Sequence, residues 1–458
     1  MAKTASPLLP AERRAAVSLS GVYALRMLGM FLVLPVLAVY AASLPGTGSN
    51  HALAGLAMGV YGLTQALLQL PLGFASDRFG RKKTIVAGLI VFAAGSFLAA
   101  AADSLEMLVA ARALQGAGAV SAAVTALLAD LTRSEVRTRA MSMIGLSIGL
   151  TFSASLVLSP LLSAKIGVGG LFALTGLLTL ISIFVVLFYT PNAPARQHED
   201  AQAQPARLGE VFRNRRLMEL NFGIFALHSG MMLLFTTLPF ALEQLGMAKS
   251  SHWQFYLPAT LIGLILMIPA IIVGETRNKL KPVFLTGIAL TLAAMLILAF
   301  GSGSLWLIAA ALAVYFTGFN ILEASLPSMV SKTAPPTLKG TAMGVYNTLQ
   351  SAGLFCGGLI GGRLLQHYGF QTAFLAAALL TLIWLLSAAR AAAPRPVRNL
   401  AFSTGKTWQH RQDELHSALT RLPGVEQVSF SRNGDTVYIQ ALQQGFDRQA
   451  AENIISGA

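Results

Sequence analysis

The feature of the sequence that decides the fold is the stretch Gly73-Phe74-Ala75-Ser76-Asp77-Arg78-Phe79-Gly80-Arg81-Lys82-Lys83. It joins two apolar segments, 52–75 and 84–102, and each has the length of about 20 residues that a helix needs to cross a bilayer. Gly80 permits a tight turn between them, and the basic side chains around it suit the anionic surface of a membrane. The stretch therefore predicts a hairpin of two transmembrane helices with a short basic turn.

The whole chain has the composition of a membrane protein. Of its 458 residues, 55% are hydrophobic and 11% are charged, and the mean hydropathy is +0.64, whereas a soluble domain carries about 25% charged residues. This composition excludes a disordered protein, a disulfide scaffold and an ordinary soluble enzyme. Long apolar segments occur at 16–41, 52–75, 84–102, 105–129, 140–164, 168–190, 217–243, 253–274, 282–301, 304–330, 340–364 and 370–390. They predict an all-α polytopic membrane protein with twelve transmembrane helices in two six-helix halves, because hydrocarbon offers backbone groups no other partners.

The distribution of lysine and arginine predicts the orientation of the chain. If the predicted helices alternate in direction, 28 of the 33 Lys and Arg residues lie on one side of the membrane and three on the other, with Arg26 and Arg112 inside helices. Basic residues accumulate on the cytoplasmic side, so both termini are predicted to be cytoplasmic. The net charge of +14 is then a consequence of topology, and no binding of nucleic acid is predicted.

An internal repeat relates the two halves. The stretch Thr138-Arg139-Ala140-Met141 resembles Gly340-Thr341-Ala342-Met343 at an offset of 202, and Arg26 and His228 are also 202 positions apart. Repeats of this kind occur in transporters whose substrate site lies between two halves that rock against each other. The predicted domains are an N-terminal six-helix half at 1–190, a cytoplasmic linker at 191–216, a C-terminal six-helix half at 217–390, a linker at 391–398 and a cytoplasmic ferredoxin-like domain at 399–458.

The last segment has the pattern of a small soluble domain. It predicts a strand near 398–403, a helix at 410–421, strands at 425–431 and 436–441 with a turn at Asn433-Gly434, and a helix at 446–456. This order suits a ferredoxin-like α+β domain. It resembles heavy-metal-associated domains, but the place of their Cys-x-x-Cys is taken by Ser403-Thr404-Gly405-Lys406-Thr407-Trp408, so neither a metal site nor a cofactor is predicted. We expect the domain to contact the helical core or a second copy of the chain.

The stretch from Gly73 to Lys83 resembles motif A of the major facilitator superfamily, G-x-L-a-D-R-x-G-R-K-x, with Ala75 where the family favours leucine. The resemblance implies that Asp77 faces the start of the eleventh helix, Lys339-Gly340-Thr341, where the helix dipole favours an anion. It also implies that Arg81 meets Asp130 at the end of the fourth helix. The gating residues that it implies are Gly73, Asp77, Arg78, Gly80, Arg81, Lys82 and Asp130.

The fourth predicted helix carries Arg112-Ala113-Leu114-Gln115-Gly116-Ala117-Gly118-Ala119, which looks like motif B of the same family. Its candidate functional residues are Arg112 and Gly116. A buried arginine is costly unless it faces a polar cavity or a partner; alternatively, Arg112 extends along apolar surface to the membrane interface. The fifth helix has Ser155, Ser159-Pro160 and Ser163 where motif C of the antiporters favours glycine.

Twelve helices followed by this tail resemble one group of the superfamily, the drug/H⁺ antiporters of the YajR type. The resemblance covers nearly the full chain and includes Arg26-Met27-Leu28-Gly29-Met30 in the first helix. It implies a multi-pass protein of the bacterial inner membrane that moves small molecules against a flow of protons.

Three ionisable side chains lie near mid-depth of predicted helices: Glu323, His228 and Arg26. Burial disfavours a charged carboxylate and a nearby cation favours it, so the opening and closing of a cavity can load and unload a proton. Glu323 is the first candidate for proton coupling, His228 the second, and Arg26 is expected to orient or neutralise a neighbour. The alternative for Glu323 and His228 is a hydrogen-bonded strut between helices.

The sequence therefore favours a proton-coupled efflux antiporter of small amphipathic compounds, with a small-molecule substrate, protons and the lipid bilayer as its partners. The substrate class, largely apolar or cationic compounds, is implied by the resemblance alone. One alternative is a uniporter or symporter of sugars or metabolites on the same fold, and another is a membrane sensor that no longer transports. An enzyme is not predicted, because the chain has no nucleotide-binding glycine-rich loop of the Walker type.

Overall fold

The structure of the protein is a computed structural model, and it describes residues 8–45, 50–118, 120–192, 207–277, 279–335, 338–391, 397–404, 408, 411–430, 434, 436–442 and 445–456. The described chain is mostly helical. Within these ranges, ten helical segments are long and apolar enough to cross a membrane. Asn433 and His410 lie outside the described residues, as do 193–206 and 392–396 of the two predicted linkers.

Within the described residues, the first half contains six α-helical segments. They are α1 (Pro10–Ser43), α2 (His51–Phe79), α3 (Arg81–Ala100), α4 (Leu105–Ala117), α5 (Ser121–Asp130) and α6 (Ser134–Phe184). The predicted single span 105–129 is interrupted between α4 and α5. At this place Gly118 packs so closely on α3 that an added Cβ would lie 2.5 Å from the carbonyl oxygen of Gly88. Motif A also differs from the expected loop: Asp77 and Arg78 belong to the last turn of α2, and Gly80 alone separates α2 from α3.

The second half repeats this arrangement. A short helix, α7 (Leu208–Arg213), precedes α8 (Arg215–Gln244), α9 (Trp253–Thr276), α10 (Leu280–Gly301), α11 (Leu305–Thr333) and α12 (Lys339–Arg390). The helices α6 and α12 have 51 and 52 residues, which is about twice the length that a bilayer requires.

Each of these two long segments consists of two helices that meet at a kink. The kink in α6 lies at Gly167, with φ 70° and ψ 172°, and the kink in α12 lies at Gly369, with φ 78° and ψ −176°. Such positive φ values are readily adopted only by glycine. The two kinks are 202 positions apart, which is the offset of the sequence repeat.

In each half, a lysine binds backbone carbonyls at the end of the last helix. The Lys82 ammonium, in the first turn of α3, donates a hydrogen bond to the Thr190 carbonyl, six residues after the end of α6. The Lys281 ammonium, at the start of α10, donates to the carbonyl oxygens of Ala389 and Ala391 at 2.8 and 2.6 Å, at the end of α12. Unpaired carbonyls at a helix C-terminus are favourable partners for a cation. In both halves a basic turn is thus fixed to the last helix.

The halves meet mainly through α2 and α12. Their backbones touch at glycines, since an added Cβ on Gly55 would lie 2.3 Å from the Gly358 carbonyl oxygen and one on Gly62 would lie 2.4 Å from that of Ser351. Toward the other end of these helices the contact is made by a side chain, that of Leu70 against Gly344. The two helices are therefore closest at the end where α2 begins.

The tail forms a small domain with a three-stranded antiparallel sheet of order β1-β3-β2. Its elements are β1 (Val397–Ser403), α13 (Gln412–Thr420), β2 (Val425–Phe430), β3 (Thr436–Leu442) and α14 (Arg448–Ser456). The predicted order is confirmed, and the bounds agree with the prediction within two residues. A core that includes Leu415, Val437, Ile439 and Ile455 lies between the sheet and the helices.

One residue on the other face of this sheet, Gln440, forms a hydrogen bond with α11. Gln440, on β3, is only 8% exposed although it points away from the core of its own domain. Its side-chain amide donates a 2.8 Å hydrogen bond to the Lys332 carbonyl in the last turn of α11. That this domain contacts the helical core stays a prediction, which this hydrogen bond supports.

Candidate functional site

The candidate site in the second half is built from three helices. Glu323 of α11 lies with Oε2 3.8 Å from Nε2 of His228, which comes from α8. The same His228 nitrogen is 2.8 Å from the side-chain amide nitrogen of Gln350 on α12. His228 is 7% exposed, whereas Glu323 keeps 31% of its side-chain surface exposed. Two of the three predicted proton-coupling residues are thus neighbours, and the Glu323 Oε2 atom that faces His228 is itself buried.

Aromatic rings separate this pair from the helices around it. Phe319, one turn before Glu323, lies 6.0 Å from the His228 ring and stacks on Tyr315 at 5.9 Å. It also lies 5.6 Å from Phe152 of α6, a helix of the first half. An apolar surrounding of this kind strengthens electrostatic interactions within the pair, because it lowers the local dielectric constant.

Arg26 forms a separate cluster in the first half. Its side chain, on α1, donates hydrogen bonds of 3.0 Å to Ser121 Oγ on α5 and to the Tyr61 hydroxyl on α2. The guanidinium also lies over the Phe92 ring, 5.3 Å from its centre. Arg26 is 2% exposed. Its hydrogen-bond acceptors are neutral hydroxyls, and within the described residues it forms no ion pair with Glu323.

Arg112 of motif B joins the same cluster from α4. It stacks over the Tyr61 ring at 4.9 Å and donates a 2.8 Å hydrogen bond to Gln115 Oε1. With 2% exposure it lies inside the bundle rather than extending to the membrane interface. Gly116 makes this packing possible, since an added Cβ would lie 2.2 Å from the Tyr61 carbonyl oxygen.

The burial of α1 and α8 changes along their length. Residues 29–39 of α1 and 226–239 of α8 are all buried, whereas 21–28 and 218–225 include several partly exposed positions. The two stretches occupy corresponding places in the repeat. Both helices are therefore more tightly packed in their middle parts than near their first turns.

Motif A forms a buried ion-pair network at the end of the bundle where α1 begins. Arg81 Nε lies 2.9 Å from Asp130 Oδ2, and both residues are 3% exposed. The same guanidinium pairs with Asp77 and donates a 2.8 Å hydrogen bond to Ser76 Oγ. The residues that the sequence predicted to meet, Arg81 and Asp130, are in contact; the pairing of Asp77 with the start of α12 stays a prediction.

The other residues of motif A shape the turn. Gly80 has φ 100°, a conformation that residues with a Cβ rarely adopt. Gly73 is buried, and an added Cβ would be 3.6 Å from that of Ala122, an ordinary contact distance. Arg78 is exposed, with its guanidinium 5.6 Å from the centre of the Phe79 ring. Gly80 is thus the motif glycine whose conformation the turn requires.

We expect Arg81→Ala to destabilise the protein by about 3 kcal/mol, because it leaves the Asp130 carboxylate buried without this partner. Thermal unfolding of the purified protein in detergent measures the effect. Arg78→Ala, which removes an exposed charge from the same turn, serves as the control and should unfold close to the wild-type temperature. Equal stability of the two variants would contradict a stabilising role for the Arg81–Asp130 pair.

Two groups of contacts escaped the sequence analysis. Tyr61 binds both Arg26 and Arg112, yet a tyrosine in an apolar segment looks like any other core aromatic. Glu12, which is 4% exposed, accepts hydrogen bonds from the Arg133 side chain at 2.8 and 3.0 Å and ties α1 to the start of α6. The sequence signal for the Glu12–Arg133 contact was a charged residue next to the first apolar segment.

The Major Facilitator Superfamily model matches residues 19–357 and 281–421 of this sequence. The chain belongs to the major facilitator superfamily. It is 39% identical to the inner membrane transport protein YajR of Escherichia coli (strain K12) over 452 residues, which cover 98% of this chain and 99% of YajR. It is 27% identical to the multidrug resistance protein MdtH of Aeromonas hydrophila over 357 residues, 75% of this chain and 85% of MdtH.

The chain also resembles solved structures in its fold. The crystal structure of the human organic anion transporter MFSD10 superimposes with a TM-score of 0.64 at 22% identity, covering 83% of this chain and 100% of that one. As a member of the superfamily the chain is a transporter of small molecules and not an enzyme. It is a multi-pass protein of the inner membrane.

Proposed function

We propose that this superfamily member is a proton-coupled exporter of small amphipathic compounds that works by alternating access. The observation that carries the proposal is the position of Glu323. Its carboxyl group lies at mid-depth of α11, beside His228 from another helix, and 31% of its side chain is exposed. An ionisable residue in the membrane is expensive and faces a partner or an aqueous cavity, and the His228 ring is such a partner for Glu323.

The proposed topology has twelve crossings. Ten segments of the described chain are long enough to cross, and counting α6 and α12 as two crossings each, divided at Gly167 and Gly369, gives twelve. The bias of Lys and Arg toward one side supports both termini in the cytoplasm. With that orientation, the end at which α2 and α12 are closest faces the periplasm.

Proton coupling follows from the chemistry of Glu323. Water stabilises its charged form and an apolar surrounding disfavours it, so a conformational change that alters its hydration changes whether it holds a proton. A bound substrate that replaces water at Glu323 changes the same balance. Competition between proton and substrate for one site is the property that converts a proton gradient into export.

Motif A has a mechanical part in this proposal. Arg81, Asp77 and Asp130 connect the α2–α3 turn to the end of α5, and the Glu12–Arg133 pair connects α1 to α6. These pairs lie within the first half. They favour movement of the first half as one rigid body. In this proposal, 1–190 and 217–390 rock against each other, and 399–458 is a ferredoxin-like domain attached to them.

The relatives support export in particular. MdtH is named a multidrug resistance protein, and we extend that activity to this chain as part of the proposal. Uniport or symport on the same fold, and loss of transport, are the alternatives that the experiment separates.

We expect an imposed pH step to drive dye movement in proteoliposomes that contain the purified protein. An acidic interior should drive accumulation of ethidium or rhodamine 110 above the level of empty liposomes, and nigericin, which removes the gradient, should abolish it. Accumulation driven by an acidic exterior would indicate symport, and equilibration independent of pH would indicate uniport. Absence of any protein-dependent flux of these dyes would contradict the proposal of an exporter with broad amphipathic substrates.

A further inference from the structure

Aromatic rings from the two halves meet one turn away from Glu323. The ring of Phe152, on α6 of the first half, lies 5.6 Å from that of Phe319 and 6.2 Å from that of Phe316, both on α11 of the second half. All three side chains are buried. The main neighbours of α6 are α1 and α3, whereas those of α11 are α9 and α10. Side chains rather than closely packed backbones therefore make this contact between the halves.

The ring of Phe152 is fixed within the first half. It packs edge-to-face against the ring of Phe31 on α1, with 4.9 Å between the two centres. Close to it along α6, the Ser155 hydroxyl donates a 3.3 Å hydrogen bond to the Leu28 carbonyl oxygen of α1. When the first half moves as one body, this ring moves with it.

The facing part of α11 is fixed within the second half. An added Cβ on Gly263 of α9 would lie 2.7 Å from the carbonyl carbon of Phe316, and one on Gly318 would lie 2.6 Å from the carbonyl oxygen of Gly287 on α10. Helices in such close backbone contact cannot slide past each other without a clash. Rocking of the halves therefore moves the aromatic rings of α6 and α11 relative to each other.

Phe319 connects this contact to the Glu323–His228 pair. Its ring lies 6.0 Å from that of His228, and it precedes Glu323 by one turn of α11. The Glu323 Oε2 atom that faces His228 is buried, although part of the glutamate side chain is exposed. Phe319, with Phe152 packed on it, thus belongs to the apolar surroundings of the pair.

We propose that Phe152 is a positioning residue of the proton site. Its ring, carried by the first half, holds Phe319 against His228 and keeps water away from the pair until the halves rock apart. Water then reaches the Glu323 carboxylate and stabilises its charged form. Movement of the first half thereby changes whether Glu323 holds a proton. The inference rests on the proposed transport function and names the residue that connects the first half to the proton site.

Phe152→Ala separates this role from packing. Two activities of the full-length protein are measured in proteoliposomes with ethidium, namely accumulation driven by an acidic interior and dye exchange at equal pH. Driven accumulation should fall at least about tenfold, which corresponds to about 1.4 kcal/mol, while exchange stays within about threefold of the wild-type rate. A side chain that only filled space would lower both activities together.

Matched variants complete the test. Phe152→Leu, which keeps a large apolar side chain, should retain most of the driven accumulation. Phe184→Ala removes an exposed ring from the end of the same helix and should behave as the wild type. Phe319→Ala breaks the contact from the second half and should repeat the effect of Phe152→Ala. The double alanine variant should be no worse than either single one, because both act through one contact.

Size-exclusion chromatography confirms folding of each variant, and if one alanine variant does not fold, the other decides. Full driven accumulation in a folded Phe152→Ala or Phe319→Ala variant would overturn the inference, and so would a parallel loss of driven accumulation and exchange. Absence of driven accumulation in the wild-type protein would remove the proposed function and this inference with it. If only the alanine variants depart from expectation, the proposed function stands and the role of Phe152 fails.

Discussion

Glu323→Gln is expected to reduce proton-driven flux to the level of empty liposomes while the protein remains folded and inserted in the membrane. Glutamine has nearly the shape of glutamate and can still donate and accept hydrogen bonds, but it cannot take up or release a proton. The neighbouring His228 nitrogen lies 3.8 Å from the carboxylate, so the substitution leaves room for a neutral contact. Flux is measured in proteoliposomes with an imposed pH step.

Exchange without a gradient separates coupling from binding. In the Glu323→Gln variant, exchange of dye at equal pH should persist, because alternating access does not itself require the proton. Glu106→Gln, at an exposed position in the first turn of α4, removes a carboxylate elsewhere and should keep full proton-driven flux. Undiminished pH-driven flux in Glu323→Gln would remove this residue from the mechanism.

The second large effect is expected from Gly55→Leu. The Cβ of any other residue at this position would lie 2.3 Å from the Gly358 carbonyl oxygen, a distance that real structures do not show. The two halves could then not close at the end where α2 begins. We expect the population to shift to the state that is open at this end, and steady-state flux to fall at least about tenfold, because a shift of 1.4 kcal/mol already changes an equilibrium tenfold.

Cysteine accessibility measures this shift. Leu354, which is 6% exposed and packs beside Gly62, is replaced by cysteine in a Cys356→Ser background. Labelling of the new cysteine by a membrane-impermeant maleimide should be faster in Gly55→Leu than in the parent protein. Gly145→Leu is the matched control, because a Cβ at this exposed position meets no atom within 4 Å. Equal labelling rates in all three proteins would show that the α2–α12 contact does not control closure.

Much of the fold could be predicted because its determinants are local. The apolar segments, the basic turn at Gly80 and the alternation in the tail follow from bilayer thickness, backbone conformation and strand periodicity. The contact between Arg81 and Asp130 was predicted from the resemblance to a family motif. The break between Ala117 and Ser121 was not predicted, because it arises from the close approach of α4 to its neighbours rather than from a proline or a charge.

The candidate site was only partly predictable for a different reason. Ionisable residues in apolar segments are visible in the sequence, and Glu323, His228 and Arg26 were selected in this way. Their neutral partners, Tyr61 and Gln350, are ordinary residues until the helices are packed. Separation of the charges into two clusters is likewise a property of packing, since equal depth along the helices does not determine distance across the bundle.

The paired bends at Gly167 and Gly369 have a consequence for the history of the molecule. Their torsions are nearly the same. The backbone therefore turns in the same way within α6 and within α12. A gene encoding one half, duplicated in tandem, would have produced both corners at once without any new backbone geometry. Divergence after the duplication needed only to exchange side chains, which left arginine in the first copy where the second has histidine.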